Sequence, residues 1–475
     1  SYYKVTELKK LIAITACIIV SLHLSAQDTE PSPWSRFAMG LPTHIISTPQ
    51  LLMGGVSSPI VDGFTINPYQ PASAAACLNT TFQTSLQSTL TNMEEGDSTA
   101  RVNSGTPGAI SVVVKRVGGK YAVSFGMLPN TGMGYNVSRT YEDSLVGTTR
   151  EQYDGSGGTA KSYLGLARGF KGKKWMSAGD SDSVLVTNHT LFLGAQIDYL
   201  FGEVIQTGRL DIFDSTPFDN RTRSSMRHRS LGALFGIQAS QILWAKYDTD
   251  KNFDGAATLY FGATYSPTSR IYTDYEKIVE TVQFLSNVET VIDTAFYNDI
   301  EGEGVLPSRW TAGGSIVFDS KSGRKLLIAA DYMSEDWTAF DGDPQIDFLG
   351  SKATWAKSTR TSFGLTLSPK NSGNNSSVLT RSTYRAGLAL DAYPIEYEGI
   401  QLSGWRASAG LSIPLEGSRS TSFVHFGLSA GKRGAMEDNG TVLVNTLEET
   451  IFNIQIGVTL TPFFKNLWLT PRLYD

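Results

Sequence analysis

A two-residue alternation of apolar and polar side chains recurs along this chain and limits what it can fold into. Over residues 191–201 the odd positions hold Leu, Ala, Ile, Tyr and Phe, whereas Gly194, Gln196 and Asp198 are among the even ones. Successive side chains of a β-strand point to opposite faces, so such segments indicate two-faced strands. We count fourteen of them, at about 78–91, 108–117, 121–128, 160–170, 189–202, 226–243, 256–266, 309–319, 325–338, 353–368, 379–391, 403–414, 420–433 and 447–461.

The connections between these segments alternate in length. Short polar turns are expected at 118–119, 319–324, 369–376 and 415–419, with 171–188 as a longer member of the same set. Weaker alternating runs near 203–213 and 270–284 are interpreted as extensions into loops. Long connections are expected near 129–159, 203–225, 267–308, 339–352, 392–402 and 434–446.

An even number of strands, with short turns on one rim and long loops on the other, is typical of a bacterial outer-membrane barrel. The predicted fold is therefore all-β: a transmembrane antiparallel β-barrel of about 14 strands. Beyond residue 26 no stretch approaches the ~18 uninterrupted apolar residues of a membrane helix. A soluble β-sandwich is the alternative, with the apolar face as a dry core between two sheets. Aromatic residues at strand ends suit the girdles of a barrel: Tyr121, Trp175, Tyr199, Tyr265, Tyr332, Trp337 and Trp405.

The first residues have the pattern of a secretory signal. Lys9 and Lys10 precede a short apolar run, and Ser25-Ala26-Gln27 follows it. This pattern predicts a signal peptide at 1–26 and export from the cytoplasm. A membrane anchor is the alternative, although the apolar run is short for a span. A lipoprotein cut before Cys17 is another.

Between the signal and the barrel, residues 27–77 lack a strand pattern. They combine glycines, prolines and scattered apolar side chains, which predicts a compact plug, or hatch, inside the barrel lumen. A flexible periplasmic tail is the alternative, against which the apolar content argues. The barrel itself is assigned to 78–475, with long extracellular loops. Of the two cysteines only Cys77 then remains, and we expect it to be a small packing residue.

Several short motifs in these regions resemble the FadL/TodX-like family of outer-membrane transport proteins, in the form common among Bacteroidota. The hatch-like motifs are Ser32-Pro33-Trp34-Ser35-Arg36-Phe37, Met53-Gly54-Gly55 and Asn67-Pro68, followed by Pro71-Ala72 where the family usually reads Asn-Pro-Ala without a break. Ala330-Asp331-Tyr332 with Trp337 and Phe340, Tyr384-Arg385-Ala386-Gly387 and the region 420–475 are similar as well.

The resemblance implies a fourteen-stranded barrel, plugged by its N-terminal hatch, that takes up hydrophobic compounds passively. The expected ligand is a long-chain fatty-acid-like molecule, captured first by apolar residues of the long connection 267–308. Some relatives instead serve as non-transporting subunits of envelope secretion or barrel-assembly machines. We therefore expect outer-membrane lipids and either a hydrophobic small molecule or envelope-machine proteins as partners, in the outer membrane of a Gram-negative cell.

If the apolar side chains face lipid, four arginines face the lumen: Arg309, Arg360, Arg385 and Arg406. Arginine binds a carboxylate through two parallel hydrogen bonds, so these residues could together hold the head group of the ligand. Alternatively, they pair with the inward Asp198, Asp331 and Asp391, or with hatch carboxylates, and fix the plug. Many inward positions are glycine, which favours a filled lumen over an open pore: Gly126, Gly194, Gly232, Gly236, Gly262, Gly364, Gly410 and Gly457.

Other chemistry is poorly supported by the sequence. The charge balance, 40 Lys+Arg against 45 Asp+Glu, argues against a nucleic-acid partner. Residues 250–255 match the first half of a calcium loop but have Phe261 where the final Glu should be, so an Asx-rich turn is favoured. The histidines of the mature chain lack metal-ligand spacing, and the nucleotide and hydrolase motifs are missing. We expect no metal, no cofactor and no enzyme activity.

Overall fold

The chain forms a closed antiparallel β-barrel of 14 strands, as the alternation predicts. The computed structural model describes residues 31–37, 39–43, 47–145, 147–178, 182–213, 218–248, 250, 252–285, 288–342, 353–369, 377–417, 420–435 and 447–461. The predicted signal peptide, the start of the predicted hatch and the last residues of the chain lie outside this part. Among the described residues no helix is long and apolar enough to cross a membrane.

Each barrel strand pairs with its neighbours in the sequence, and the last strand pairs with the first to close the barrel. The strands are β1 Thr81–Glu95, β2 Ser98–Pro107 with Ile110–Val114, β3 Tyr121–Asp143, β4 Gly147–Ala178, β5 Asp182–Ile212, β6 Asp219–Tyr247, β7 Phe253–Ser266 with Ser269–Leu285, β8 Val288–Leu306 with Arg309–Ser320, β9 Lys325–Asp336, β10 Ala353–Trp355 with Lys357–Ser368, β11 Thr383–Tyr397, β12 Ile400–Gly417, β13 Ser420–Ala435 and β14 Glu448–Leu460.

Short elements complete the chain. Before β1 lie a 3₁₀ helix Pro33–Arg36, a strand Leu41–Pro42, a helix α1 Thr48–Leu51 and a 3₁₀ helix Pro71–Ala75. Each of the three helices has proline in its first turn, where the missing N–H would be unpaired in any case. After β9 come a 3₁₀ helix Trp337–Ala339 and a strand Asp341–Gly342, and a helix α2 Val378–Arg381 precedes β11.

The prediction of long loops at 129–159, 203–225, 267–308 and 392–402 is wrong. The described residues of these stretches continue the strands, and β11 and β12, for example, are joined by Glu398–Gly399 alone. β4 is 32 residues long, whereas about 9–11 residues of a tilted strand suffice to span a bilayer. The upper parts of β3 to β8 therefore exceed the length that a span needs and form one tall sheet, which we call the tall wall: residues 129–143, 147–161, 200–212, 219–230, 269–285 and 288–306.

The outside of the barrel carries a belt of exposed apolar side chains, as expected for a lipid-facing surface. Members on neighbouring strands lie at the same height: Phe235 pairs with Tyr265, which pairs with Trp310. Trp337, predicted to belong to an aromatic girdle, is instead buried and stacks on Trp355 with ring centroids 4.8 Å apart. The reason is that the chain leaves the sheet at Asp336, so that Trp337 packs inside the rim.

The barrel wall has one incompletely paired seam. β2 pairs with β3 only through Ile110–Val114, and the described residues above that point are not joined by a ladder. The free edge of β3 pairs instead with the N-terminal segment: Leu41 is opposite Gly132, and Ser32 N donates to Gly134 O at 2.7 Å. Part of the chain from inside the barrel thus completes the wall.

Candidate functional site: the lumen and the segment that fills it

The interior of the barrel is occupied by its own N-terminal segment. We call this the lumen segment, which comprises residues 31–37, 39–43 and 47–77. Most of its side chains are buried, including Leu52, Val56 and Ala72 at 0% exposure. This placement is consistent with the predicted hatch, although whether the segment acts as one remains a prediction.

Glycines of the barrel wall let the backbone of the lumen segment approach very closely. A methyl group at Gly262 would overlap the carbonyl of Ser58, and one at Gly194 would overlap the backbone of Pro71 and Ala72. A methyl group at Gly364 would lie 2.8 Å from Met53 Cβ. Of the eight inward glycines predicted from the sequence, six contact the lumen segment in this way: Gly194, Gly236, Gly262, Gly364, Gly410 and Gly457. The remaining two, Gly126 and Gly232, face barrel residues.

Polar side chains of the wall bind the segment's backbone. The Asp331 carboxylate on β9 accepts hydrogen bonds from Ser57 N at 2.7 Å and Ser58 N at 3.1 Å. On β6, Gln238 Nε2 donates to Ser58 O at 2.9 Å and to Ile60 O at 2.8 Å. Two strands of the wall, β6 and β9, therefore hold the same turn of the segment.

The four hatch residues predicted from the sequence, Asn67, Pro68, Pro71 and Ala72, lie in this filled interior. Asn67 Nδ2 donates to Ser57 O at 2.8 Å, and its Oδ1 accepts from Tyr69 N at 3.1 Å. Pro68 O accepts from Gln196 Nε2 at 3.4 Å. Pro71 and Ala72 start the second 3₁₀ helix, against the wall at Gly194. Asn67 thus cross-links two turns of the segment rather than facing a pathway.

The start of the lumen segment is fixed near the end of the barrel that carries the tall wall. Ser32 Oγ donates to Glu449 Oε1 at 2.5 Å, and Glu449 Oε2 accepts from Arg433 Nε at 2.7 Å. Arg433 and Glu449 are 3% and 0% exposed, so each needs the other to offset the loss of hydration. Trp34 and Phe37 pack beside this pair against Tyr397, whose ring centroid is 5.6 Å from that of Trp34.

The four predicted arginines all face the lumen, but the structure does not bring them into one site. Arg360 lies opposite Asp391, and six positions further along the same pair of strands Arg385 lies opposite Thr366. At about 3.3 Å per residue, the two arginines are roughly 20 Å apart along the sheet. Sequence alternation gives the face of a strand and not the height along it, so it could not detect this separation.

Arg360 and Arg385 each lie beside a carboxylate, which is the arrangement that the alternative interpretation describes. Arg360 Nε is 2.5 Å from Asp391 Oδ1. Arg385 contacts Ser412 Oγ and lies 4.0 Å from Asp62 Oδ2 of the lumen segment. Arg406 lines a separate small cavity of about 50 Å³ beside Arg433.

Arg309 differs from the other three. Its guanidinium lies over the ring of Tyr69, 5.6 Å from the centroid, and no ion pair joins it to another described residue. It lines a cavity of about 140 Å³ together with Arg360 and Lys161. Met39, Leu200 and Trp337 line the apolar side of the same cavity.

A larger cavity, of about 580 Å³, lies on the other side of the lumen segment. Arg385, Asp62, Phe64 and His425 are among the residues that line it. Both ring nitrogens of His425 have hydroxyl partners, Ser412 Oγ at 2.7 Å and Thr459 Oγ1 at 2.8 Å. These residues form a connected polar wall at the end where the barrel strands make their short turns.

Several lumen residues were missed by sequence reasoning. Lys161, Gln238, Glu449 and Arg433 were not singled out, although each falls at a polar position within an alternating segment. Their common signal is a long polar or charged side chain on the inward face.

Among the described residues, no group of three or more His, Cys, Asp or Glu is arranged to hold a metal. At the calcium-like stretch, Asn252 N donates to Asp248 Oδ1 at 2.9 Å, and residues 253–255 belong to β7.

Comparison with known proteins gives one family match. A family model described as BamG matches residues 8–475. No curated protein matches the sequence.

Solved structures that align with the chain are distant. They include a Pseudomonas aeruginosa FadL homologue at 11% identity, covering 90% of this chain and 100% of that one with a TM-score of 0.49. The Pseudomonas putida toluene transporter TodX aligns at 14% identity, over 87% and 97% of the two chains, with a TM-score of 0.48. The CymD monoaromatic hydrocarbon channel aligns at 12% identity, over 88% and 97%, with a TM-score of 0.44. Likeness at this distance does not indicate a function, ligand or partner for this chain.

Proposed function

The chain belongs to the BamG family, and we propose that it is a sealed outer-membrane barrel that serves as a non-transporting subunit of an envelope machine for secretion or barrel assembly. Membership of this family fits the second of the two functions that the sequence resemblance implies. The observation that carries the proposal is the close packing of the backbone and side chains of the lumen segment against the wall glycines.

The interior offers no continuous path for a hydrophobic ligand past the described residues of the lumen segment. Sites for drug-sized ligands enclose about 300–1,000 Å³ and are mostly apolar. The cavity beside Arg309 is about 140 Å³, and carboxylates of Asp331, Glu335 and Asp391 line it. The 580 Å³ cavity is large enough for such a ligand, but the lumen segment separates it from the end of the barrel that carries the tall wall. A path through the barrel therefore requires the segment to move.

The tall wall supplies a surface for protein partners. Residues 291–297 of β8 are all exposed, and in the part of the chain that the structure describes β8 has no neighbour along this edge above Gly304. A free strand edge pairs readily with an extended segment of another protein. This edge carries five carboxylates and no cation: Glu289, Asp293, Asp299, Glu301 and Glu303. The partner segment we expect is therefore an extended strand with basic side chains.

A disulfide lock tests whether function needs the segment to move. A Cβ at Gly169 would lie 3.8 Å from Ala75 Cβ, the usual separation in a disulfide. The double variant Ala75→Cys with Gly169→Cys, in a Cys77→Ser background, ties the end of the segment to β4. Met53→Cys with Gly364→Cys ties its middle to β10 after a small shift, because the separation there is 2.8 Å.

We expect both oxidised variants to support growth and outer-membrane barrel content as well as the single-cysteine controls do. Loss of function that reductant restores would overturn the proposal, because it would mean that the segment moves.

A second experiment tests the free edge of β8. The double variant Glu301→Lys with Glu303→Lys should reduce the recovery of stoichiometric partner proteins after purification in mild detergent. The matched control is Glu94→Lys with Glu95→Lys, an exposed acidic pair at the top of β1.

Passive uptake of a long-chain fatty-acid-like compound is the second candidate. The observation that favours it is the pair Arg309 and Lys161, which have no ion pair with any described residue and share a cavity with the apolar side chains of Met39, Leu200 and Trp337. The seam between β2 and β3 would be the exit to the bilayer if residues 39–43 left it. Uptake of a fluorescent fatty acid that Arg309→Gln and the oxidised locks both abolish would support this candidate.

A further inference from the structure

The end of the barrel opposite the tall wall carries a cluster of cations on neighbouring turns. We call it the basic rim. It is formed by the β2–β3 turn and by the start of the hairpin that joins β4 to β5. Six of its side chains are exposed: Arg116, Lys120, Arg168, Lys171, Lys173 and Lys174. A seventh, Lys115, is buried and donates to Ala75 O of the lumen segment.

These exposed cations have no carboxylate partners among the described residues. None of the six takes part in an ion pair within that part of the chain. The other described turns at this end behave differently: Lys321 lies 3.4 Å from Asp254, and Lys325 lies 3.1 Å from Asp319. Within the described residues, the positive charge of the basic rim is thus not neutralised by carboxylates.

The basic rim directly continues the apolar belt. Tyr121 and Phe170, which are 63% and 39% exposed, end the belt on β3 and β4. Arg168 lies over both rings, 5.0 Å and 4.7 Å from their centroids. Lys171, Lys173 and Lys174 follow Phe170 by one to four residues. At about 3.3 Å per residue along a strand tilted by about 45°, this is roughly 2–9 Å in depth. The ammonium groups therefore lie at the level of lipid head groups.

The hairpin that carries the lysines stands free of its neighbours. Gly169 N donates to Lys120 O at 2.8 Å, and beyond that point the described residues of β4 pair only with β5. Trp175 follows the lysines and is 63% exposed. Tryptophan and lysine side by side at the edge of an apolar belt are characteristic of the membrane–water interface.

We propose that the basic rim binds the head groups of anionic phospholipids in the bilayer leaflet beside it. Clusters of four to eight Lys or Arg next to a membrane attract anionic lipids, by about a fivefold change in affinity per charge. The aromatic side chains and the continuity with the belt favour a lipid over an acidic protein. The proposal concerns this surface alone and does not depend on whether the barrel transports.

Lipid titration of the full-length barrel in mild detergent tests this. Native mass spectrometry would follow the binding of phosphatidylglycerol and of phosphatidylcholine with the same acyl chains. We expect phosphatidylglycerol to bind about tenfold more tightly or better, and a rise in salt to reduce this preference. The triple variant Lys171→Gln, Lys173→Gln and Lys174→Gln should lose most of it. Arg116→Gln with Lys120→Gln gives a second, independent variant in case the triple variant does not fold.

The matched control removes three cations from another turn at the same end: Lys321→Gln, Arg324→Gln and Lys325→Gln. It should keep the lipid preference. Equal binding of the two lipids by the wild type, or an equal loss in the control, would overturn the proposal. Displacement of phosphatidylglycerol by millimolar glycerol phosphate would also overturn it, since the rim would then be a site for free phosphate. A third result would overturn it as well: an acidic protein co-purifies with the wild type but not with the triple lysine variant, and no lipid preference is measured.

Discussion

Asp331 gives the sharpest test of how the lumen is closed. Its carboxylate is 7% exposed and accepts the N–H groups of both Ser57 and Ser58. Asp331→Ala leaves these two donors without their acceptor in a closed interior. Each unsatisfied buried group costs about 1–3 kcal/mol, and part of this cost is relieved by water entering the neighbouring cavity. We therefore expect the free energy of local opening at residues 53–60 to fall by about 2–4 kcal/mol.

Hydrogen–deuterium exchange measures this opening directly. A loss of 2–4 kcal/mol corresponds to roughly 30- to 700-fold faster exchange of the amides in the peptide 53–60. Asp331→Asn keeps one acceptor oxygen in place and removes only the charge. Its exchange should therefore lie between that of the wild type and that of Asp331→Ala. In a planar bilayer, the alanine variant should also show brief openings that the wild type lacks.

The control is Asp198→Ala, which removes another inward aspartate whose partner, Gln196 Nε2, belongs to the wall. It should leave exchange in 53–60 unchanged. Unchanged exchange in Asp331→Ala as well would refute the reasoning, because the segment would then be held without this anchor. If Asp331→Ala no longer changes gel mobility on boiling, the variant has lost the barrel fold. The exchange measurement on Asp331→Asn would then replace it.

Three further predictions concern buried charges. Arg360→Met should lower the melting temperature in detergent, because Asp391 loses its ion pair with Arg360 in a buried position, at a cost of about 3 kcal/mol. Adding Asp391→Leu should restore most of the lost stability. Glu449→Gln should speed amide exchange in residues 31–37, since Arg433 and Ser32 both depend on that carboxylate. Burial lowers the pKa of His228, in the tall wall, from 6.5 to about 4. Between these two pH values the unfolded state therefore binds more protons than the folded state, so the free energy of unfolding should fall by about 3 kcal/mol as the pH drops from 6.5 to 4. Thermal unfolding of His228→Gln should lack this pH dependence.

The strands were predictable wherever one face meets lipid. There the outward residues are uniformly apolar, as Phe363 and Leu365 are on β10, so the period of two has a large amplitude. In the tall wall both faces can be polar. On β6 the outward positions are Arg223, Arg227 and Arg229, which no longer contrast with the inward serines and His228. The alternation fades although the strand continues, and the sequence is then read as a loop.

The interior was predictable in its content but not in its geometry. Inward glycines indicated a filled lumen, and the contacts at Gly194 and Gly262 agree with that. Which carboxylate meets which cation depends on height along the barrel, which is set by the register between strands far apart in sequence. The contact of Ser32 with Glu449 spans 417 residues and has no local signal in the sequence.

The spread of contacts around the wall bears on which function the barrel can serve. Bonds from Asp331 on β9 and Gln238 on β6 hold one turn of the lumen segment, and Gln83 on β1 holds another. At about 1 kcal/mol for a neutral bond and more for one to a carboxylate, releasing the whole segment costs at least several kcal/mol before any packing is counted. A transported ligand would have to bind the open state more tightly by this amount, and about 5.5 kcal/mol corresponds to a 10⁴-fold difference in affinity. A subunit that works through its outer surfaces requires no such ligand, because the same contacts then keep the barrel rigid and closed.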